Sequence, residues 1–412
     1  MRFNLWTMGL AAAGWVSLPA VASAEEQGSQ LWTAVSSTTL SGYINTSIHW
    51  NPGTGNGNVP YYFYNTTTKQ DGFNLNVVNL TLERALDEAQ WSAGYKVQLW
   101  FGPDASSFGS TIDGGGTDAS AAAVRQAHVV LRAPVGNGLD FRVGVFDGLL
   151  GYESHDAGLN PNYTRSYGTS LSPHSQTGVQ VSYEFSSWLS AAAAMGNTVS
   201  PIINSKAHSP FEPNPPKAES FKAYSGLVAL SAPEDWGFLA GSALYGGVSS
   251  GYNNNKGWDQ TTWYAGVTLN TPLSSLKVGG AYAYLGTTDF DLGNDDYANA
   301  LALYTSFQVT EKLSLHARGE YAWTSSDIYG QIGFIDNGNS EIFALTGTLQ
   351  YDLWRNVLSR IEVRWDHLAG DGQMTRFGGE PLGVGGGGNG GSVFNPGERN
   401  HVLVSANIIY QF

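Results

Sequence analysis

Residues 148–176 hold side chains that could act on a passing molecule. The stretch reads GLLGYESHDAGLNPNYTRSYGTSLSPHSQ. Its charged and phenolic members include Tyr152, Glu153, Asp156, Tyr163, Arg165 and Tyr167. Charged groups around a narrow passage set the electric field that an ion crosses, and aromatic rings offer flat faces to a solute. We therefore expect this loop to form the constriction of a pore, provided that the rest of the chain builds one.

A second set of candidate residues is basic and lies in stretches of alternating polarity. Its members are Lys96, Arg132, Arg142, Arg318, Arg360 and Arg364. Arg142, for example, shares a face with Asp140, whereas Val143 faces the other way. Because an unpaired buried charge is costly, we expect these side chains to line a water-filled pore wall. The alternative is that opposite charges such as Arg360 and Glu362 only neutralise each other across the wall.

Other kinds of chemistry find little support in the sequence. The chain has 8 His and no Cys, and no nucleophile stands at a motif spacing from a base, so we expect no enzyme. Glu153, His155 and Asp156 could bind a metal ion, but no further ligand completes the set. We therefore expect no metal and no cofactor. With 34 acidic against 20 basic residues, the chain is also a poor candidate for binding nucleic acid.

The elements that must position these residues are short segments in which apolar and polar residues alternate, the pattern of a strand with different surroundings on its two faces. Sixteen such segments occur, at 42–50, 73–83, 91–101, 124–132, 139–147, 177–185, 189–197, 221–230, 237–247, 261–270, 276–286, 300–310, 313–323, 342–352, 357–366 and 402–412. About ten residues suffice for a tilted strand to cross a bilayer. The pattern predicts an all-β fold, a transmembrane antiparallel β-barrel of 16 strands.

The connections between these segments alternate in length, which supports the same fold. Short ones include PEDW at 233–236 and RN at 355–356, while long ones include 148–176, 248–260 and 287–299. Outer-membrane barrels have short periplasmic turns and long extracellular loops. A soluble sandwich has no reason to alternate in this way.

The start of the chain is typical of an exported protein. Residues 1–24 carry one positive charge at Arg2, an apolar stretch and a final Ala-Ser-Ala, as a cleaved signal peptide does. We expect residues 25–39 to be an N-terminal periplasmic segment and residues 40–412 to be the barrel. No later apolar run approaches the ~20 residues of a membrane-spanning helix.

Three stretches resemble a known family. Residues 73–105 read FNLNVVNLTLERALDEAQWSAGYKVQLWFGPDA, residues 124–153 read VRQAHVVLRAPVGNGLDFRVGVFDGLLGYE, and residues 160–168 read NPNYTRSYG. They look like the OmpL-like β-barrel porin family. The resemblance implies a pore in the bacterial outer membrane and names no solute. The aromatic last residue, Phe412, also looks like the assembly signal that the barrel-assembly machinery reads.

The resemblance also implies surroundings and partners. General porins fold the loop after the fifth strand into the lumen, which is where 148–176 stands, and Arg132 with Arg142 could form the wall opposite it. We expect contact with the lipid bilayer and lipopolysaccharide, passage of small hydrophilic solutes and, by analogy, a homotrimer.

Two questions about function stay open at this point. Glu153 and Asp156 in the loop favour a pore with a mild preference for cations. A sugar-selective porin is an alternative, because Tyr163, Tyr167 and Trp100 could offer ring faces to sugars. A structural or adhesive barrel without significant conductance is another.

Overall fold

The computed structural model describes residues 38–57, 59–60, 64, 69–108, 121–207, 221–253, 258–289, 295–325, 340–369, 377–378 and 397–412. Within these ranges, sixteen antiparallel strands each pair with their neighbours in the chain, and the first pairs with the last, so the sheet closes into a barrel. The predicted 16-stranded all-β barrel is confirmed. None of the described helices is long and apolar enough to span a membrane.

The strands vary from 8 to 15 residues in length. They are β1 Thr39–Trp50, β2 Gly72–Arg84, β3 Ser92–Phe101, β4 Ala122–Ala133, β5 Leu139–Asp147, β6 Ser175–Ser186, β7 Leu189–Gly196, β8 Ala223–Ser231, β9 Ala243–Asn253, β10 Trp258–Asn270, β11 Leu276–Asp289, β12 Asp295–Gln308, β13 Leu313–Thr324, β14 Ser340–Trp354, β15 Val357–Ala369 and β16 Asn400–Gln411. Short 3₁₀ helices occur at Pro103–Ser107, Ala157–Leu159, Tyr167–Leu171 and Glu234–Leu239.

The alternation in sequence becomes an alternation between the outside and the inside of the barrel. On β16, Ile408 and Tyr410 are each 48% exposed on the outer surface, while Ser405 and Asn407 are buried in the lumen. An apolar outer face and a polar inner face are what a bilayer outside and water inside require.

Strands β1 and β16 form the seam where the barrel closes. Their register runs from Tyr43 opposite Gln411 to Trp50 opposite Val404. Beyond it, the backbones of Gly42 and Phe412 exchange two hydrogen bonds, of 2.9 and 3.0 Å. Closure leaves no sheet edge with unpaired backbone groups in the lipid.

The main departure from the prediction is β9, which was expected at 237–247 and spans Ala243–Asn253. The residues before it form the 3₁₀ helix Glu234–Leu239, where Gly237 has a φ of 59° that favours glycine. The predicted four-residue turn is therefore wrong, and a longer connection takes its place.

Two predicted long loops are also wrong. Strands β9 and β10 leave only residues 254–257 between them, and β11 and β12 leave only residues 290–294. The predicted signal peptide, 1–24, lies outside the described residues, as do residues 25–37 of the predicted periplasmic segment. Strand β1 begins at Thr39.

The core of the molecule lies inside the barrel. Residues 148–174, between β5 and β6, fold into the lumen, and we call them the inserted loop. None of its residues is exposed. Its apolar side chains join all three buried clusters, the first through Leu149, Leu150 and Tyr152, the second through Tyr167 and Leu171, and the third through Ala157.

Candidate functional site

The inserted loop leaves and re-enters the barrel wall at one narrow neck. The backbone N–H of Gly148 donates to the carbonyl of His174 at 3.1 Å. A Cβ on Gly148 would lie 1.9 Å from the carbonyl oxygen of Pro173, so only glycine fits this close approach. From this neck the loop crosses the lumen, where it packs against two parts of the wall and faces a third mainly across a cavity.

The first part is the charged wall, the lumen face of β13–β15, with the residues Arg318, Glu320, Arg360, Glu362, Arg364 and Asp366. Arg318 lies between loop and wall, with ion pairs of 3.0 Å to Glu153 and 2.6 Å to Glu320. Because its side chain is 0% exposed, it is shielded from water on all sides. The loop carboxylate thus completes a buried charge network on the wall.

Backbone groups of the loop bind the same wall. Both oxygens of Glu362 accept backbone N–H groups, from Tyr163 at 2.6 Å and from Thr164 at 2.9 Å. Arg360 donates to the carbonyls of Ala157 and Asn160. These wall charges therefore hold a backbone that forms no strand and only short 3₁₀ helices of its own.

Several hydrogen bonds join the loop to the strands on the far side of the seam. Tyr163 shares one of 2.7 Å with His49 of β1. Asp156 accepts from the hydroxyl of Tyr43 at 3.3 Å and from the side-chain amide of Gln98 at 3.1 Å. Unlike Glu153, Asp156 has no ion pair within 4.0 Å among the described residues.

The second part is the small-residue wall on β7–β12. Its members at the level of the loop are Ala192, Ala194, Leu227, Tyr245, Tyr264, Gly279, Ala281, Ala283, Ala300, Ala302 and Tyr304. Tyr152 stacks on Tyr304 with ring centroids 4.3 Å apart, and its hydroxyl lies 3.2 Å from that of Thr268. A Cβ on Gly279 would lie 1.8 Å from the Tyr152 hydroxyl, so the wall accepts this ring only because glycine is there.

Residues from two neighbouring loops cover the inserted loop near the mouth of the barrel. Phe108 packs edge-on against His155, with centroids 5.5 Å apart, and His155 packs likewise against His174 at 5.3 Å. Arg125 lies over the Phe108 ring at 4.4 Å. The hydroxyl of Tyr64 lies 3.1 Å from Nδ1 of His155. Aromatic and cation–π contacts thus join three loops into one cover.

Burial and neighbouring charges shift the pKa of several loop groups. Burial beside the cation Arg125 lowers the pKa of His174 to about 3. The same effects, together with Arg165, hold the pKa of His155 well below its usual range. Burial alone would raise the pKa of Glu153, but Arg318, Arg165 and hydrogen bonds from Thr169 and Ser166 lower it. At neutral pH the cover holds neutral histidines and the charged wall holds a charged Glu153.

The third part of the wall is separated from the loop by a cavity of about 310 Å³. We call this part, the lumen face of β3–β6, the open wall. The open wall lines the cavity mainly with Lys96, Gln126, His128, Val130, Asp140, Arg142, Gln180 and Ser182. The end of β2 adds Glu83 and Arg84. The loop lines the opposite side with Leu149, Glu153, Ser154, His155 and Asp156. Asp147, where β5 ends, also lines it. A cavity with charged, amide and hydroxyl groups therefore lies between the loop and this side of the wall.

The predicted loop residues lie at different depths around this opening. Asp156 faces the cavity, and Glu153 reaches both the cavity and Arg318. Tyr163 and Arg165 are buried between loop and wall, and so is Tyr167, whose hydroxyl donates to Asp366 at 2.7 Å. Tyr152 lies against the small-residue wall. The rings of Tyr163, Tyr167 and Trp100 are packed inside the protein and offer no open face to a sugar.

The predicted basic residues also divide into two groups. Lys96 and Arg142 line the cavity, and Arg132 makes hydrogen bonds of 2.7 and 2.6 Å to Asp140 beside it. The other three, Arg318, Arg360 and Arg364, face the lumen but lie beneath the loop. The six residues therefore do not form one continuous surface.

Sequence reasoning did not single out Arg125 or Gln180. Arg125 is 1% exposed and binds Asp147 where the register between β3 and β4 shifts. Such a bulge adds one residue to a strand and breaks strict alternation. Gln180 lies in the alternating pattern of β6 and lines the cavity, so its position was available from sequence.

A family model and solved structures match this chain. The model described as "Putative beta-barrel porin-2, OmpL-like" matches residues 37–412. The anion-selective porin from Comamonas acidovorans has a TM-score of 0.57 at 14% identity, with 91% of this chain and 99% of that chain covered. The outer membrane channel DcaP of Acinetobacter baumannii has a TM-score of 0.56 at 12% identity, with 91% and 97% covered.

A third solved structure is OmpT of Vibrio cholerae in its trimer form, with a TM-score of 0.51 at 13% identity and coverage of 91% and 99%. No curated protein matches the chain. At such low identity the solved structures establish a shared fold, and the family model relates the sequences over nearly the whole barrel.

Proposed function

This chain belongs to the OmpL-like beta-barrel porin-2 family, and we propose that it forms a water-filled channel through the bacterial outer membrane for small hydrophilic solutes and ions. The observation that carries the proposal is the cavity of about 310 Å³ between the inserted loop and the open wall. Its lining mixes charged, amide and hydroxyl groups, which replace part of the hydration shell of a passing solute.

In this proposal the inserted loop is the constriction. Its support is the position of the loop, which fills the lumen on the sides of the charged wall and the small-residue wall. Asp156 and Glu153 then face the passage, and Lys96 with Arg142 face them from the open wall. The remaining predicted loop residues act by holding the loop in place.

The channel prefers cations mildly. Five carboxylates line the cavity, those of Glu83, Asp140, Asp147, Glu153 and Asp156. Three basic side chains line it, those of Arg84, Lys96 and Arg142. Since ion pairs with Arg132, Arg125 and Arg318 offset three of the carboxylates, the formal charges around the cavity nearly balance. The mild preference rests on Asp156, a loop carboxylate that faces the cavity without an ion pair to any described residue.

The proposal includes export, assembly and association. Residues 1–24 act as a cleaved signal peptide, and Phe412 at the seam is read by the barrel-assembly machinery. The outer surface meets the bilayer and lipopolysaccharide. Three copies associate, an inference supported by the trimer form of OmpT of Vibrio cholerae.

Planar-bilayer recording of the purified protein tests the channel. We expect discrete conductance steps in KCl and, across a KCl gradient, a zero-current potential displaced slightly toward that of potassium. A variant that lacks most of the inserted loop, with Gly148 and His174 kept as its neck, should give larger steps. Absence of steps from correctly folded wild type would favour a structural barrel over a pore.

A further inference from the structure

The cavity contains one basic side chain whose surroundings differ from those of the others. Arg142 lines the cavity on β5 and has no carboxylate within 4.0 Å and no hydrogen bond to any described residue. Arg132, on the next strand, is bound to Asp140. Lys96 lies 3.7 Å from Glu83. Arg142 therefore keeps its donors available to a molecule in the cavity.

The residue beside Arg142 also lacks partners. Gln180 of β6 lies directly opposite Arg142 in the strand register and lines the same cavity. It is 1% exposed, and neither its amide nitrogen nor its amide oxygen has a hydrogen-bond partner. A buried amide with both ends unpaired costs free energy, which a bound solute or water would recover. Directly opposite residues have Cβ atoms about 4.5–5.5 Å apart, so one small molecule can reach both.

On the other side, Arg142 lies opposite Val130 of β4, which lines the cavity as well. The guanidinium thus has an amide on one side and an apolar side chain on the other. A guanidinium binds a carboxylate with two parallel hydrogen bonds. The amide oxygen accepts a hydrogen bond from a donor next to that carboxylate, and the valine packs against a short alkyl group.

We propose that Arg142, Gln180 and Val130 form a subsite for a small organic acid that carries a hydroxyl or ammonium group beside its carboxylate. The inference rests on the proposed channel and names a class of solute that the channel holds as it passes. Such a subsite is compatible with a mild preference for small cations, since it is one local contact in a cavity lined by more carboxylates than basic side chains. The cavity, about 310 Å³, is at the small end of ligand-binding pockets of ~300–1,000 Å³.

Three matched probes separate the parts of this subsite. Lactate has the carboxylate, the hydroxyl and a methyl group, propionate lacks the hydroxyl, and lactamide lacks the charge. Each is added to KCl during single-channel recording, and the concentration that halves the current is measured. We expect the concentration that halves the current to be roughly tenfold lower for lactate than for propionate or lactamide. A tenfold difference is what the loss of about one hydrogen bond would produce.

Variants then assign the contacts. Arg142→Gln should remove the advantage of lactate over lactamide. Gln180→Leu, of similar size, should remove only its advantage over propionate. Gln180→Asn shortens the same amide and should give the same loss if the leucine variant does not assemble. Arg84→Gln is the control, because Arg84 lines the same cavity at the last position of β2.

Different results would contradict the subsite and the channel. Equal effects of the three probes on wild type, or an equal loss in Arg84→Gln and Arg142→Gln, would overturn the subsite and leave the channel standing. Failure of folded wild type to conduct KCl would instead remove the channel on which the subsite depends. Discrete KCl conductance steps show that a variant has assembled, and the effect of each probe is measured relative to the KCl current of the same variant.

Discussion

The charged wall and the small-residue wall hold the same loop by different means. On the charged wall, most of the hydrogen bonds are directional bonds to an ionised side chain, as between Arg318 and Glu153 or between Glu362 and the backbone of Tyr163. On the small-residue wall, Tyr152 enters a space left by glycine and alanine and stacks on Tyr304.

This difference determines which kind of substitution destabilises each wall. Removing one member of a buried charge network leaves the other charges without a partner, and the penalty exceeds the value of the bond itself. The glycine and alanines of the small-residue wall have little to lose, since they are already near the minimum size, but they leave no room for larger side chains. The charged wall is therefore sensitive to the loss of a side chain, and the small-residue wall is sensitive to the enlargement of one.

The largest effect is expected from Arg318→Met on the charged wall. The change leaves Glu153 and Glu320 buried without their shared cation, at a cost of about 3–5 kcal/mol. The free energy of unfolding should fall by this amount, and single-channel conductance should become larger and noisier as the loop detaches. Urea titration in detergent and bilayer recording measure the two effects.

Arg132→Met is the matched control, because its pair with Asp140 is partly exposed and does not touch the loop. It should lower the free energy of unfolding much less and leave the conductance steady. Equal losses in the two variants would mean that the loop does not depend on the charged wall.

Acidification should release the loop in two phases. His155 and His174 have folded pKa values below the ordinary 6.5, so the released loop binds more protons and the docked loop loses stability as pH falls below 6.5. Each histidine contributes up to tenfold per pH unit, or about a hundredfold together at pH 5.5. Glu153 has a lowered pKa, so its contribution is present above 4.5 and is lost only as pH falls further.

Conductance measured from pH 7 to pH 3 resolves the two phases. The double variant His155→Phe with His174→Phe should lack the first phase and keep the second. If the double variant still opens between pH 6.5 and 5, the histidines of the cover are not the groups that respond.

A larger side chain should disturb the small-residue wall. Ala302 is 3% exposed and belongs to the cluster that holds Tyr152. Ala302→Leu should lower the free energy of unfolding by about 1–3 kcal/mol, the usual cost of overpacking. Ala317→Leu places the same side chain on the exposed outer face of β13 and should change little. Comparable losses measured by urea titration would mean that the loop does not press against this wall.

The smallest effect is expected from the two loop carboxylates. Asp156→Asn removes a charge without an ion pair from the cavity, and the zero-current potential in a KCl gradient should move toward anion preference. Glu153→Gln should move this potential less, because Glu153 is buried against Arg318 whereas Asp156 is partly exposed, but it should weaken the docking of the loop. Equal shifts in potential would show that both carboxylates face the passage alike.

The charged wall could be largely predicted from sequence, because charges at alternate positions of β13 and β15 show which face points into the lumen, although not that the loop covers it. The position of the loop was predicted as well, although through the resemblance to porins. The small-residue wall was not recognised. Alanine fits the lumen at Ala281 and Ala283 and the outer surface at Ala265, so its presence does not tell what packs against it.

Two other features depend on geometry that alternation does not report. Arg125 is the extra residue of a bulge, where Gln98 pairs with Gln126 and Leu99 with Val124. Strict alternation would have placed it on the side opposite Gln126. Strand β9 was misplaced because an apolar stretch before it forms a 3₁₀ helix outside the sheet.

The contacts of Tyr163 bear on the order in which the molecule is built. Its hydroxyl meets Ser47, 116 residues earlier in the chain, and its backbone N–H meets Glu362, 199 residues later. Contacts between such distant parts of a chain form slowly. Both walls that hold the loop, β7–β12 and β13–β15, follow it in the chain, whereas β1 precedes it. The loop can therefore take its final position only after strands from both ends of the chain have come together, so the constriction is among the last parts of the molecule to form.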